Sequence, residues 1–159
     1  MIVSPMDSVS DDQNVIYLYK TVDHSNFNAY IAPDMTLITM NPIKKILVVD
    51  DDPDFLEIIS DMLSSNGFEV RQATNGVEGL AKFEDETFDM IITDIMMPLM
   101  SGFDLVKKIR EDYPQALPII MASGAVFSSI PFSDDAKIKF LNKPFFTKDL
   151  IEAINSLAA

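Results

Sequence analysis

The stretch "ILVVDDDPDF" at residues 46–55 runs four apolar residues into three consecutive aspartates and a proline. A branched apolar run of that length, bounded by turn and cap residues, reads as a strand buried on both faces. The carboxylates at its end then need an explanation, because like charges side by side repel.

Working outward from this stretch, the same pattern recurs. "KILVVD" (45–50), "FEVRQA" (68–73), "DMIITD" (89–94), "LPIIMA" (117–122) and "KIKFLN" (137–142) are five short strand candidates, and segments of helical spacing lie between them. That alternation predicts an α/β fold, a doubly wound five-stranded parallel sheet with helices on both faces. After the first strand, Phe55, Leu56, Ile59, Met62 and Leu63 recur at helical spacing. Asp52 is placed to cap that helix, Pro53 fits its first turn, and Asn66-Gly67 stops it. Val77, Leu80, Ala81 and Phe83 predict a second helix over 75–86, and Phe103, Val106 and Ile109 a third over 102–112 ahead of Pro114. Thr147 is expected to cap a last helix with Leu150, Ile151, Ile154 and Leu157 on its apolar face. The crossover "GAVFSSIPFSDDA" (124–136) carries Pro131, which predicts a short or broken helix there.

Composition narrows the function. The chain has 159 residues, 48% of them hydrophobic, enough for one ordinary domain with residues to spare. Its formal net charge is −13, which disfavours phosphate backbones and anionic membranes as partners, so neither nucleic acid nor membrane is expected. No cysteine is present, which excludes disulfides and thiolate metal sites. With no basic-then-apolar leader and no apolar run near the ~18 residues of a membrane span, a cytoplasmic protein is expected.

Ligand sites in open parallel sheets lie beyond the carboxyl ends of the strands. Those ends offer Asp50, Asp51, Asp94, Ser123 and Lys143. Two unit charges ~4 Å apart repel by roughly 4 kcal/mol at a protein surface, too much to leave uncompensated. Three carboxylates against one lysine leave two negative charges, which one divalent cation would cancel. Oxygen ligands of this kind suit Mg2+. The bland readings weigh differently from residue to residue. Asp52 is explained as a helix cap. A calcium loop starting at Asp50 fails, because Phe55 stands where glycine is needed and Asp61 where glutamate is. Ser123 alone carries no signal, Phe140 reads equally well as a core residue, and Met97 reads as core while Met96 should overlook the site.

"ILVVDDDPDFLEIISDML", "DMIITDIMMPLMSGFDLV", "PIIMASG" and "FLNKPF" together resemble the four signature regions of the response regulator receiver domain, the CheY-like module of two-component signalling. The resemblance runs from Lys44 to the C-terminus and includes the complete D-x-x-M-P-x-M-x-G spacing from Asp94 to Gly102. It implies the strand order 2-1-3-4-5. It implies Asp94 as phosphoacceptor for a histidine kinase or a histidine phosphotransfer protein, forming an acyl phosphate. Asp51, Asp94 and the backbone carbonyl of Met96 would bind Mg2+ directly, with Asp50 acting through water. Lys143 and Ser123 would contact the phosphoryl oxygens, Ser123 and Phe140 would form the switch, and a cis bond would precede Pro144. Met96 is a departure, since polar residues are common at that position.

The expected protein is therefore a stand-alone Mg2+-dependent phosphoacceptor that does not act on an external substrate. Nothing follows the last helix, so output to a downstream protein is expected by contact. The family's usual dimer face is not carried over because of Pro131, and a homodimer stays open. Excess apolar surface at Phe55, Ile58 and Met62 is expected to receive the phosphoryl-donating partner. The rivals are a phosphorylation-independent, receiver-like interaction module and, more weakly, a metal-dependent phosphatase, which would want a second aspartate where Met96 stands. Residues 44–159 form the receiver-like part. Residues 1–43 do not share its pattern, and "NVIYLYKTV", "FNAYIA" and "MTLIT" suggest a hairpin, an added sheet edge or a partly disordered extension.

Overall fold

The computed structural model describes residues 3–11, 14–21, 43–113, 117–124, 131–132 and 134–158. The chain divides into two compact units, Met1–Asn41 and Pro42–Ala159. In the first, β1 (Val3–Asp11) pairs antiparallel with β2 (Asn14–Thr21), in a register running from Val3 opposite Thr21 to Asp11 opposite Asn14 with an irregularity between Pro5 and Asp7. The strand-like stretches "FNAYIA" and "MTLIT" lie outside the described residues. The sequence pattern had not pointed to β1, whose "VSPMDSVSD" is neither apolar nor β-branched enough to announce a strand.

The second unit is built on β3 (Lys45–Val49), β4 (Glu69–Ala73), β5 (Met90–Asp94), β6 (Ile119–Ser123) and β7 (Ile138–Asn142). All four pairings are parallel and the order is β4-β3-β5-β6-β7, the doubly wound arrangement expected. The helices are α1 (Pro53–Ser65), α2 (Gly76–Asp85), α3 (Gly102–Asp112) and α4 (Thr147–Leu157). Successive strand residues alternate between two cores. Ile46, Val48 and Ile92 meet Leu56, Ile59 and Leu63 of α1 and Leu150, Ile154 and Leu157 of α4. Leu47, Val49 and Ile91 face the other way, onto Leu105, Val106 and Ile109 of α3, with Leu80 and Phe83 of α2 packed alongside. The central strands β3, β5 and β6 are buried almost throughout, whereas the edge strand β4 exposes Arg71 and Gln72.

Local chemistry sets the helix ends. Asp52 caps α1, its Oδ1 accepting from the Asp54 and Phe55 amides at 3.0 and 3.3 Å, and Gly67 turns the chain out of it with φ +88°. Two expectations change. Val77 points outward at 48% exposure, and the buried contact of α2 is made instead by Gly79, where a Cβ would lie 3.0 Å from Val49 Cγ2. Thr147 is the first helical residue of α4 and not its cap; the preceding Phe146 amide donates to Asp149 Oδ2 at 2.9 Å. Helical spacing located the helix in each case, but a glycine contact and a backward-reaching carboxylate are tertiary and terminal details that spacing does not encode. Most of the crossover around Pro131, residues 125–130 and 133, lies outside the described residues, as does any helix there. Among the described residues no helix is long and apolar enough to cross a membrane.

At the start of α2, Glu78 reaches back to the Thr74 amide and hydroxyl, at 2.8 and 2.7 Å, while its own amide donates to Asn75 Oδ1 at 2.9 Å. The Lys82 ammonium and the Thr74 donors lower the Glu78 pKa from 4.5 to about 2. A carboxyl depressed in the folded state stabilises above its unfolded pKa and loses that contribution as pH falls through the folded value. Acid unfolding followed by circular dichroism should therefore show Glu78→Gln less stable than the parent at pH 7, with the gap closing between pH 4.5 and about 2. A gap independent of pH would contradict this assignment.

Candidate functional site

The carboxyl ends of β3, β5, β6 and β7 bring together residues far apart in sequence. The β3 and β4 ladder extends one step as the Asp50 amide donates to Ala73 O at 3.0 Å, so the Asp50 carboxyl emerges at the sheet edge. Asp94 ends β5, followed by Ile95, whose amide donates to Ala122 O at 3.1 Å. The chain then turns back, and the Gly102 amide donates to Ile95 O at 3.0 Å. A Cβ at Gly102 would lie 2.0 Å from Asp94 O, so only glycine lets α3 begin this close to β5. Ser123 ends β6, 5% exposed, and its carbonyl accepts from the Lys143 amide at 2.8 Å, fixing the lysine backbone beside it. The Lys143-Pro144 peptide is cis, as the resemblance implied.

At the centre, Lys143 Nζ donates to Asp50 Oδ2 at 2.5 Å and to Asp94 Oδ1 at 2.6 Å. The side chains of Asp50 and Asp94 are only 3% and 10% exposed, so this ammonium is what offsets their charge. Burial raises the Asp50 pKa, opposed by hydrogen bonds from Lys143 and from the Asp52 amide, with the Asp94 charge adding to the rise. Burial works to lower the Lys143 pKa, but the hydrogen bonds to Asp50 and Asp94 outweigh it and the net shift is upward, so the lysine is charged. The other Asp94 oxygen, Oδ2, accepts from the Met96 amide at 2.5 Å. Sequence reasoning assigned Met96 only a carbonyl role and missed this donor, which follows from the tight turn after β5.

The remaining residues divide. Asp51 is exposed, and among the described residues no group of three or more histidine, cysteine or acidic side chains stands close enough to hold a metal. The expected meeting of three carboxylates is thus, here, a pair bridged by Lys143 with Asp51 at its margin. The available donors, Asp50, Asp51, Asp94 and the Met96 carbonyl, are all oxygens, and the two buried carboxylates outnumber their single ammonium. That chemistry fits Mg2+, which keeps several waters and asks for only one or two carboxylates. Phe140 is partly buried and packed against the second core cluster, Met97 packs there too, and Met96 is 66% exposed over the site. Phe55, expected to be free apolar surface, is half-buried: the Lys143 ammonium sits 3.8 Å from its ring centroid.

This sheet order, with acidic groups and a lysine gathered at the carboxyl edge, defines a flavodoxin-like doubly wound fold. Residues 46–155 match the response regulator receiver domain, and the chain belongs to that family. It is 31% identical over 118 residues to the response regulator receiver protein CpdR of Brucella abortus, covering 72% of this chain and 97% of that one. It is 31% identical over 116 residues to the DNA-binding regulator RpaA of a Synechocystis species, covering 71% of this chain and 48% of that one. The chain spans about half the length of several such transcriptional regulators. Among solved structures it resembles the chemotaxis protein CheY4 of Vibrio cholerae, with 33% identity and a TM-score of 0.66 over 72% of this chain and 98% of that one. It also resembles TrrA of Thermotoga maritima, solved with Mg2+ and BeF, at 32% identity and a TM-score of 0.62 over 72% and 99% of the two chains.

The Lys143 bridge has a measurable consequence. Removing one partner of a fully buried ion pair costs ~3–5 kcal/mol, and the partial exposure of Lys143 reduces this, so Lys143→Met should cost about 2 kcal/mol in urea unfolding at pH 7. A carboxyl raised in the folded state contributes most below its unfolded pKa and less as pH rises through the folded one. Asp50 is such a group, and losing Lys143, whose hydrogen bond and charge hold its pKa down, raises it further, so the deficit should shrink as pH falls through the carboxyl range and the Asp50 carboxyl takes up its proton. A deficit unchanged in acid would mean the lysine acts through packing alone.

Proposed function

We propose that the chain is a Mg2+-dependent phosphoacceptor response regulator, phosphorylated on Asp94 by a histidine kinase or phosphotransfer protein and signalling by protein contact. The observation that carries this reading is the ammonium of Lys143 held within hydrogen-bonding distance of both Asp50 and Asp94 at the strand ends. The Asp94 carboxylate is the nucleophile, oriented by the Met96 amide on one oxygen and by Lys143 on the other. Asp51, Asp94 and the Met96 carbonyl, with Asp50 acting through water, would hold Mg2+, which would supply charge neutralisation for a transferring phosphoryl group. Lys143 donates to the phosphoryl oxygens, and the Ser123 hydroxyl, at the end of β6, donates to them after transfer. Movement of Ser123 toward the phosphoryl group changes the packing around Phe140, and with it the surface that a downstream protein reads. The acidic charge of the chain and its match to receiver domains support a cytoplasmic protein that does not bind nucleic acid through this part.

The test is intact-mass measurement after incubation with a small phosphoryl donor such as acetyl phosphate, with and without Mg2+. One phosphoryl adduct is expected with Mg2+, strongly reduced under chelation and absent in Asp94→Asn. An adduct that survives the substitution would reassign the acceptor. The absence of any adduct in the parent would favour a phosphorylation-independent interaction module.

The donor partner docks on α1. Ile58 is 52% exposed there, with Met62 partly so, whereas Phe55 is engaged by Lys143. Ile58→Ala should slow transfer from a phosphorylated histidine partner by about fivefold, in line with truncating one apolar interface side chain, and leave acetyl phosphate uptake unchanged. Equal transfer rates for parent and variant would remove α1 from the interface.

A further inference from the structure

Phe55 follows the cap of α1 by three residues, its amide tied to Asp52 Oδ1 at 3.3 Å, so its place is fixed by the same turn that carries Asp50 to the sheet edge. Its ring face lies under the Lys143 ammonium, 3.8 Å from the centroid. The Phe145 ring meets it edge-on, centroids 5.9 Å apart at 83°. The lysine head therefore has three attractive partners, the two carboxylates and one aromatic face, and its side chain is only 19% exposed. These partners differ during the reaction. An Asp94 oxygen becomes part of an acyl phosphate, and the incoming phosphoryl oxygens compete with Asp50 for the ammonium. The quadrupole of the ring does not change.

We infer that Phe55 is a positioning residue for phosphoryl transfer: its aromatic face holds the Lys143 ammonium at the mouth of the site while the carboxylate contacts are exchanged for phosphoryl oxygens. The inference deepens the acceptor reading above and rests on it for the role of Lys143. A leucine or methionine at position 55 would fill the same space between α1 and Phe145 but would present no negative face to the ammonium. The loss of such a side chain from the packing is thus separable from the loss of its π-electrons.

The experiment uses the full chain with phenylalanine 55 replaced by its 4-fluoro, 3,5-difluoro and 3,4,5-trifluoro analogues, beside Phe55→Leu and Phe55→Tyr. Fluorine drains the ring face of negative potential with little change of size. Each form is checked for an unchanged fold and followed in two ways. The first is the rate of uptake from acetyl phosphate, in which the phosphorus–oxygen bond to acetate breaks as the bond to Asp94 forms and acetate leaves with the electron pair. The second is the proton shift of the Lys143 side-chain methylene next to nitrogen, in protein free of metal and phosphoryl donor.

The rate should fall stepwise along the fluorine series, to roughly five- to tenfold below the parent in Phe55→Leu, and stay near the parent in Phe55→Tyr. The Lys143 protons should be shifted upfield by the ring in the parent and in Phe55→Tyr, and should relax in Phe55→Leu. Equal rates across the fluorine series would overturn the inference, leaving Phe55 as packing only, while the acceptor reading stood. If the parent takes up no phosphoryl group, the acceptor reading fails by itself. An unshifted Lys143 signal in the parent overturns the ring contact independently of any phosphorylation.

Discussion

One ammonium ion shared by two buried carboxylates governs this structure. Asp50 and Asp94 belong to adjacent strands, and neither has enough exposure for water to solvate its charge. Lys143 comes from β7, which β6 separates from β5. Strands lie about 4.8 Å apart, so a group on β7 must reach across roughly two strand spacings to touch Asp94. The four-carbon stem of lysine makes that reach, and the hydrogen bond from its amide to Ser123 O anchors the stem on the strand it crosses. The parallel sheet is needed for this, because only parallel strands deliver all four carboxyl ends to one rim.

How much of this was legible in the sequence follows from which interactions are local. The branched apolar runs marked the central strands β3, β5 and β6 within a residue or two, because burial on both faces leaves few other compositions, while the edge strands β4 and β7 were marked by short runs between turn residues. Asp52 and Gly67 marked the ends of α1 through backbone hydrogen bonding and φ, both properties of a few adjacent residues. What was not legible depends on tertiary approach. Gly79 rather than Val77 faces the sheet because α2 lies too close for a side chain, and nothing within 75–86 records that distance. The ring of Phe55 looked like surplus apolar surface because its partner, Lys143, is 88 positions away in the sequence. The orienting amide of Met96 was hidden for a related reason. The reading of that residue named its backbone carbonyl, whereas it is the amide that meets Asp94 Oδ2.

The acidic site and the apolar surface around it are consequences of the same topology. Of the large apolar residues exposed among the described positions, Met96 and Leu99 follow β5, Phe146 follows β7 and Ile58 lies in the first half of α1, directly after β3. The loops that follow Asp94 and Lys143 therefore also carry exposed apolar side chains. Leu99 is 84% exposed and has φ +67°, a region that costs a branched residue about 1–2 kcal/mol and that glycine would enter freely. Neither solvation nor backbone preference explains a leucine at that point. The positive φ closes a tight turn in which the Met100 amide donates to Pro98 O at 2.8 Å, and that turn returns the chain to Gly102, so the leucine is set outward by the same backbone path that starts α3 beside Asp94.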